Sequence, residues 1–168
     1  NFNNNINKSG NGDNLVCGEC DGQVTQLTLH YDGSINNPQI KVLDNHNNVL
    51  FLGNSNKGHD GFLGNSVLGE WCNIGADSNN SNLKNNYGLV NTYSYEHQAQ
   101  IKTPLQFMGV CMGDHSKTAI NVQLNTATVI GFSANIFSSG FPDKFIPSFS
   151  WVSDAQTDAF QLSKAIEA

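Results

Sequence analysis

Apolar and polar residues alternate over short distances along most of this chain and rarely follow a helical period. In QVTQLTLHY, residues 23–31, Leu27, Leu29 and Tyr31 share one face while Gln26, Thr28 and His30 share the other. That is the period-two pattern of a half-buried strand. PQIKVLDNHNNVLFLG reads as two further strands, 39–43 and 49–52, joined by an Asx-rich turn at 44–48. The first third is therefore expected to be an antiparallel meander.

Residues 53–86 read as a long loop rich in Gly, Asn and Ser, with a short strand at 67–71. So long a stretch without clear structure usually marks a functional loop or unread strands. Short segments rich in β-branched or aromatic residues follow at 87–95, 99–102, 105–112, 119–124 and 128–132, and the apolar FIPSFSWV follows them. Strands so short, bounded by Gly, Pro and Asp, predict an all-β fold, an antiparallel β-sandwich or jelly-roll-like architecture. No internal repeat is strong enough to suggest a solenoid. A short C-terminal helix is expected at about 153–167, where Ser153 and Gln156 form a capping box and Ala155, Ala159, Leu162 and Ile166 follow at helical spacing.

The leader NFNNNINKSGNGDNLV has too few apolar residues to bury itself. Phe2 and Ile6 lie on one face of an extended ribbon with Asn4 between them. Such an arm suits addition to the sheet edge of a neighbouring subunit, a contact that propagates into a filament when each copy gives its arm to the next. The expected organisation is an arm, 1–16, followed by one β-rich domain, 17–168.

Charge narrows the choice of partners. Eight basic residues, all Lys, stand against fourteen acidic ones, for a net charge of −6. A nucleic-acid reader needs clustered cations, so nucleic acid is not expected as a partner. No apolar run is long enough to span a bilayer. The chain starts at Asn1 without Met or an apolar leader, which suggests a removed signal peptide and an extracellular or cell-surface location. In that setting Cys17, Cys20, Cys72 and Cys111 are candidates for two disulfides of open connectivity. The C-G-E-C pair lacks the helix that a redox motif needs, and Cys72 and Cys111 do not form the second close pair of a zinc site.

The string CDGQVTQLTLHYDG, with Cys20, Asp21, Gly22, Val24, Thr25, Leu27, Thr28, Leu29, Tyr31 and Gly33 on the pattern, resembles the opening of an uncharacterised domain of secreted bacterial proteins. The likeness covers residues 20–52. It implies an extracellular β-rich surface or matrix protein and carries no catalytic residues across.

Reaction motifs are absent from the sequence. His30, His46, His59, His97 and His115 show no metal-ligand spacing, and Asp114-His115-Ser116 cannot line up as a triad. There is no Gly-x-Ser-x-Gly and no phosphate loop, so the chain is not expected to be an enzyme or to need a cofactor. Calcium is the one ion the composition suits, with Asp13, Asp21, Asp44 and Asp77 in Asn- and Gly-rich turns. Trp71, Tyr87, Tyr93 and Tyr95, near Asn86, Asn91 and Glu96, form a candidate ligand surface for carbohydrate. Two functions are expected on these grounds: an extracellular fibre, filament or matrix subunit that polymerises with copies of itself through Phe2, Asn4 and Ile6, or a secreted carbohydrate-binding module.

Overall fold

The computed structural model describes residues 49–167. In chain order the elements are β1 (Val49–Phe51), β2 (Ser66–Leu68), β3 (Asn79–Asn80), β4 (Asn91–Ser94), β5 (Ala99–Lys102), β6 (Cys111–Met112), β7 (Lys117–Thr118), β8 (Gln123–Leu124), β9 (Val129–Ile130), β10 (Asn135–Ile136), β11 (Phe145–Ile146), β12 (Ser150–Val152), β13 (Thr157–Ala159) and α1 (Leu162–Glu167). They wind into a parallel β-solenoid with three sides. Side A stacks β1, β2, β6, β9 and β11, all parallel. Side B runs through Asn56, Asn73, β7, β10 and β12. On side C, β3 pairs with β8, and the Asn80 N–H donates to the Phe62 carbonyl in the coil before it.

The expected antiparallel sandwich or jelly roll is thereby corrected, as is the expectation that no solenoid repeat exists. Within the solenoid a strand does not fold back on its predecessor as in a meander; the chain turns a corner, runs along the next side and pairs in parallel with the coil before it. Val49 pairs with Ser66, Val67 with Cys111, Cys111 with Val129 and Val129 with Phe145, steps of 17, 44, 18 and 16 residues. Strand 49–52 therefore joins a parallel stack and not a meander. Its expected partner, 39–43, lies outside the described residues.

Each side follows a six-residue rule. A corner residue in the left-handed region comes first, with φ from 49° to 60° at Asn54, Asn65, Trp71, Asp77, His115, Asn121, Ala127, Ser133 and Phe149. An inward position follows each of them and is usually small, as at Ser55, Ser66, Cys72, Ser78, Ser116, Ala134 and Ser150. Its hydroxyl ties adjacent coils: Ser116 Oγ donates to the Gly131 carbonyl at 2.6 Å and accepts from the Ala134 N–H at 3.0 Å. Two residues on, the second inward position is mostly aliphatic. Phe51, Leu68, Met112, Ile130 and Ile146 stack under side A, and Ile74, Ile136 and Val152 under side B. Each such side chain, fully buried, contributes about 1.5–3 kcal/mol.

Between the second and third coils the chain departs and returns. It leaves after Asn82 and comes back at Met108, whose N–H donates to the Asn82 carbonyl at 2.9 Å. The excursion carries the antiparallel hairpin β4–β5, as the alternation at 87–95 and 99–102 leads one to expect. The hairpin leans on the last coils. Tyr93 stacks on Phe145 with ring centroids 3.6 Å apart, and Lys144 Nζ donates to the Asn91 carbonyl at 2.6 Å.

The C-terminal helix expected at about 153–167 is shorter than its pattern. Ser153 and Gln156 close a hairpin turn, with the Ser153 N–H donating to the Gln156 carbonyl at 2.9 Å, and β13 pairs antiparallel to β12. Trp151 stacks on Phe160 across that hairpin at 5.4 Å, which favours strand over helix there. Only Leu162–Glu167 is α-helical among the described residues. Among the described residues no helix is long and apolar enough to cross a membrane.

Cys72 and Cys111 are free thiols, so the disulfides expected at these two positions are not formed. Cys72 points into the core and its Sγ donates to the Gly113 carbonyl at 3.2 Å, while Cys111 sits between the inward residues Val110 and Met112 and so faces outward. The two thiols lie on opposite faces of the solenoid wall. Cys17 and Cys20 lie outside the described residues, as does the arm with Phe2, Asn4 and Ile6.

A candidate ligand site on side C

Two side chains break the six-residue rule at the two ends of one backbone segment. Lys57 occupies the inward position that Ile74, Thr118, Ile136 and Val152 hold in later coils. It is only 9% exposed. Asn80 occupies the inward position that Leu63 and Leu124 hold. Polar groups in a core cost stability unless they are bonded, and both of these are spent on one backbone segment. Lys57 Nζ donates to the carbonyls of Asp60 at 2.6 Å and His59 at 3.2 Å. Asn80 accepts from the Gly64 N–H at 2.7 Å and donates back to the Gly64 carbonyl at 3.0 Å. The segment from His59 to Gly64 is thus clamped at both ends from inside the solenoid.

Glycine makes the clamp fit. Gly61 has φ 112°, and a Cβ there would collide with the Ser78 carbonyl oxygen and lie 2.8 Å from Lys57 Nζ. At Gly64 an added Cβ would meet the Phe62 ring and the Asn82 amide nitrogen, so both groups crowd the bare backbone.

What the clamp presents is a small patch of mixed chemistry. Phe62 is 40% exposed, and its N–H donates to Asn79 Oδ1 at 2.7 Å. Asn79 Nδ2 in turn donates to the Asp77 carbonyl at 2.7 Å, and the Asp77 N–H donates to the Asp60 carbonyl at 2.8 Å. Asn82 Nδ2 donates to Asn65 Oδ1 at 2.7 Å. These bonds orient the amides and leave each with donor or acceptor capacity toward solvent. His59, Asp60 and Asp77 are exposed at the outer rim.

Burial pushes the Lys57 ammonium below the ordinary lysine range, although the nearby Asp77 and Asp60 carboxylates pull the other way. The ammonium is part-buried where it meets the His59 and Asp60 carbonyls, and desolvation there outweighs the two carboxylates.

The aromatic surface expected from the sequence is not one surface. Trp71 lies at the corner between sides A and B and stacks with His115. Tyr93 is on β4 and Tyr95 in the turn just after it, both against Phe145, where burial raises the Tyr95 hydroxyl pKa. Tyr87 stands apart and exposed at the start of the excursion. Of the calcium candidates, Asp77 is at a corner, and among the described residues no three His, Cys, Asp or Glu side chains gather as a metal site. Asp13, Asp21 and Asp44 lie outside the described residues, as do His30 and His46. His97 is tied to Ser94 in the β4–β5 turn at 3.0 Å.

Sequence reading overlooks Lys57, Phe62, Asn65, Asn79, Asn80 and Asn82 as a group. The signal that exposes them is the register itself, since a Lys and an Asn fall at aliphatic positions once the six-residue rule is known. Compared with known proteins, the chain matches no family model, and no curated protein matches it.

Proposed function

We propose that this domain is a carbohydrate-binding module whose ligand lies on side C against Phe62, Asn79 and Asn82. The observation that carries the reading is the exposed Phe62 ring beside two amides already oriented by hydrogen bonds. A sugar ring offers an apolar face for an aromatic and equatorial hydroxyls that both donate and accept, which neutral amides match without the desolvation cost of a full charge. The rigid coil stack holds these groups ready, so little ordering cost falls on binding.

Calorimetric titration with a panel of oligosaccharides tests the reading. Phe62→Ala is expected to weaken binding at least tenfold, about 1.4 kcal/mol, while leaving the Tm close to native because the ring is partly exposed. Equal affinity in the variant, or no binding by any saccharide of the panel, would sink it.

A second reading, the self-assembling fibre subunit, draws support from one feature. Side A ends at β11 with an unpaired edge among the described residues, the kind of edge an extended arm can extend. Deleting residues 1–14 is then expected to abolish polymers visible by electron microscopy while the solenoid stays folded. Polymers persisting after that deletion would rule out arm donation.

A further inference from the structure

The corner between sides A and B carries a column of residues in the left-handed region: Asn54, Trp71, His115, Ser133 and Phe149. Bulky L-residues rarely adopt this conformation, whereas Asn and Asp adopt it readily. Most other corners obey that preference, with Asn65, Asp77 and Asn121, and the exception, Ala127, is small and buried. His115 is among the residues that accept this conformation, whereas Trp71 occupies a position where an Asn would fold more easily, and the backbone requirement does not explain its side chain. Nor does packing. Trp71 is 52% exposed, and its main partner is the His115 ring of the next coil, 5.9 Å away and tilted by 23°.

The surroundings supply polar groups. Glu70 and Asp114 precede the two rings, and the Glu70 N–H donates to Asp114 Oδ1 at 2.8 Å, which sets the carboxylate against the corner. The His115 N–H donates to the Glu70 carbonyl at 2.8 Å, locking the two coils in register. Asn73 and Lys117 follow on side B as a bridged pair in adjacent coils. Glu70 and Asp114 thus adjoin the two corner rings, and Asn73 and Lys117 lie two residues beyond them on side B.

We propose that this corner is a second saccharide site, separate from side C, in which Trp71 takes the apolar face of a sugar ring while Glu70 and Asn73 meet its hydroxyls. His115 braces the indole from the neighbouring coil. An exposed indole on a strained backbone position that packing does not require points to a contact outside the chain.

The chain has two tryptophans, so the Trp71 and Trp151 indole N–H signals can be followed separately by NMR during titration with chitotriose, cellotriose, maltotriose and mannotriose. The Trp71 signal is expected to move with at least one sugar, both in the native protein and in Phe62→Ala. Trp71→Asn is expected to abolish that binding with Tm unchanged or higher. His115→Asn is expected to weaken it at least threefold without lowering the Tm. A Trp71 signal that ignores every sugar overturns the proposal, as does one that moves only when Phe62 is intact, since the two patches would then be one site. A drop of several degrees in the Tm of Trp71→Asn overturns it too, by making the ring a packing element. Weaker calorimetric binding in Phe62→Ala together with an unchanged Trp71 response supports two separate sites.

Discussion

Asn80 grips Gly64 with both ends of its amide: Oδ1 accepts from the Gly64 N–H at 2.7 Å and Nδ2 donates to the Gly64 carbonyl at 3.0 Å. The pairing closes one coil onto the next where the strand ladder gives way to the turn after Phe62. Asn80 is buried among aliphatic side chains, so the two bonds are made in a medium that does not compete for them.

Asn80→Leu restores an aliphatic column but leaves the Gly64 N–H without a partner, while the Gly64 carbonyl keeps its bond from the Ser66 hydroxyl at 2.8 Å. A buried unsatisfied donor costs about 1–3 kcal/mol, and added apolar burial offsets part of that. A net loss of about 1 kcal/mol is expected, a fall in Tm of about 3 °C for a chain of this size. Thermal unfolding followed by circular dichroism measures it. A variant as stable as the native protein would show that the Gly64 clamp contributes nothing.

Lys57 gives the protein a pH signature of definite sign. Its pKa is lowered in the folded state by burial, while the unfolded chain keeps the ordinary value near 10.5. Between those two values the unfolded state binds more protons, so stability rises with pH across that window and is flat below it with respect to this group. Urea unfolding from pH 7 to pH 10.5 is expected to show this rise in the native protein and its loss in Lys57→Met, with the difference between the two curves isolating Lys57 from other titrating groups. Parallel curves for the two proteins would place the ammonium in water.

Gly109 is where two coils approach most closely beside the side C patch. A Cβ there would collide with the Gly64 carbonyl oxygen and Ser66 Oγ, and would lie 2.6 Å from Asn80 Nδ2. Since two of those atoms are held by core hydrogen bonds, Gly109→Ala is expected to cost about 3 kcal/mol. Gly140, where an added Cβ meets nothing within 4 Å, supplies the control. Gly140→Ala should stay within about 0.5 kcal/mol of native. Similar unfolding midpoints for the two variants would contradict the close approach.

The excursion is an insertion into a continuous coil register. Met108 is bonded to Asn82 at its base, and coils on either side pair directly through β2 and β6. Replacing residues 84–106 by a short Gly-containing linker is therefore expected to leave a folded solenoid that has lost the Tyr93–Phe145 stack. Persistence of the strand signal in circular dichroism, with cooperative melting, checks it. A chain that no longer melts cooperatively would make the hairpin part of the folding core.

Individual strands were legible at 49–52, 67–71 and 128–132, and the β4–β5 hairpin was legible in its alternation. Their pairing was not. Alternation reports which side chains face inward and says nothing about whether a strand's neighbour lies a few residues away across a turn or a full coil away. The repeat that would have decided the matter is masked in three ways: the excursion inflates one step to 44 residues, the last coil shortens to 16, and the inward positions mix Ser, Thr, Ala and Cys with aliphatics. The loop-like stretch 53–86 was the clearest case, since its Gly, Asn and Ser residues are corner and small inward residues of two full coils. Trp71 was singled out as a candidate ligand residue. Its association with Tyr87, Tyr93 and Tyr95 followed from proximity in the chain, which the coil geometry breaks.

The amino-acid sequence by itself determined that this protein is built from short β segments, with few charges, no arginine and Asx-rich corners, because those properties depend on local periodicity and composition. Only the tertiary structure decided that the segments stack in parallel, that Lys57 and Asn80 point inward to clamp one turn, and that Phe62 stands beside Asn79 and Asn82. The physical reason is that strand pairing is settled by backbone hydrogen bonds between whole coils. Those bonds are blind to residue identity except at the corners and at the small inward positions, so the sequence records them only faintly.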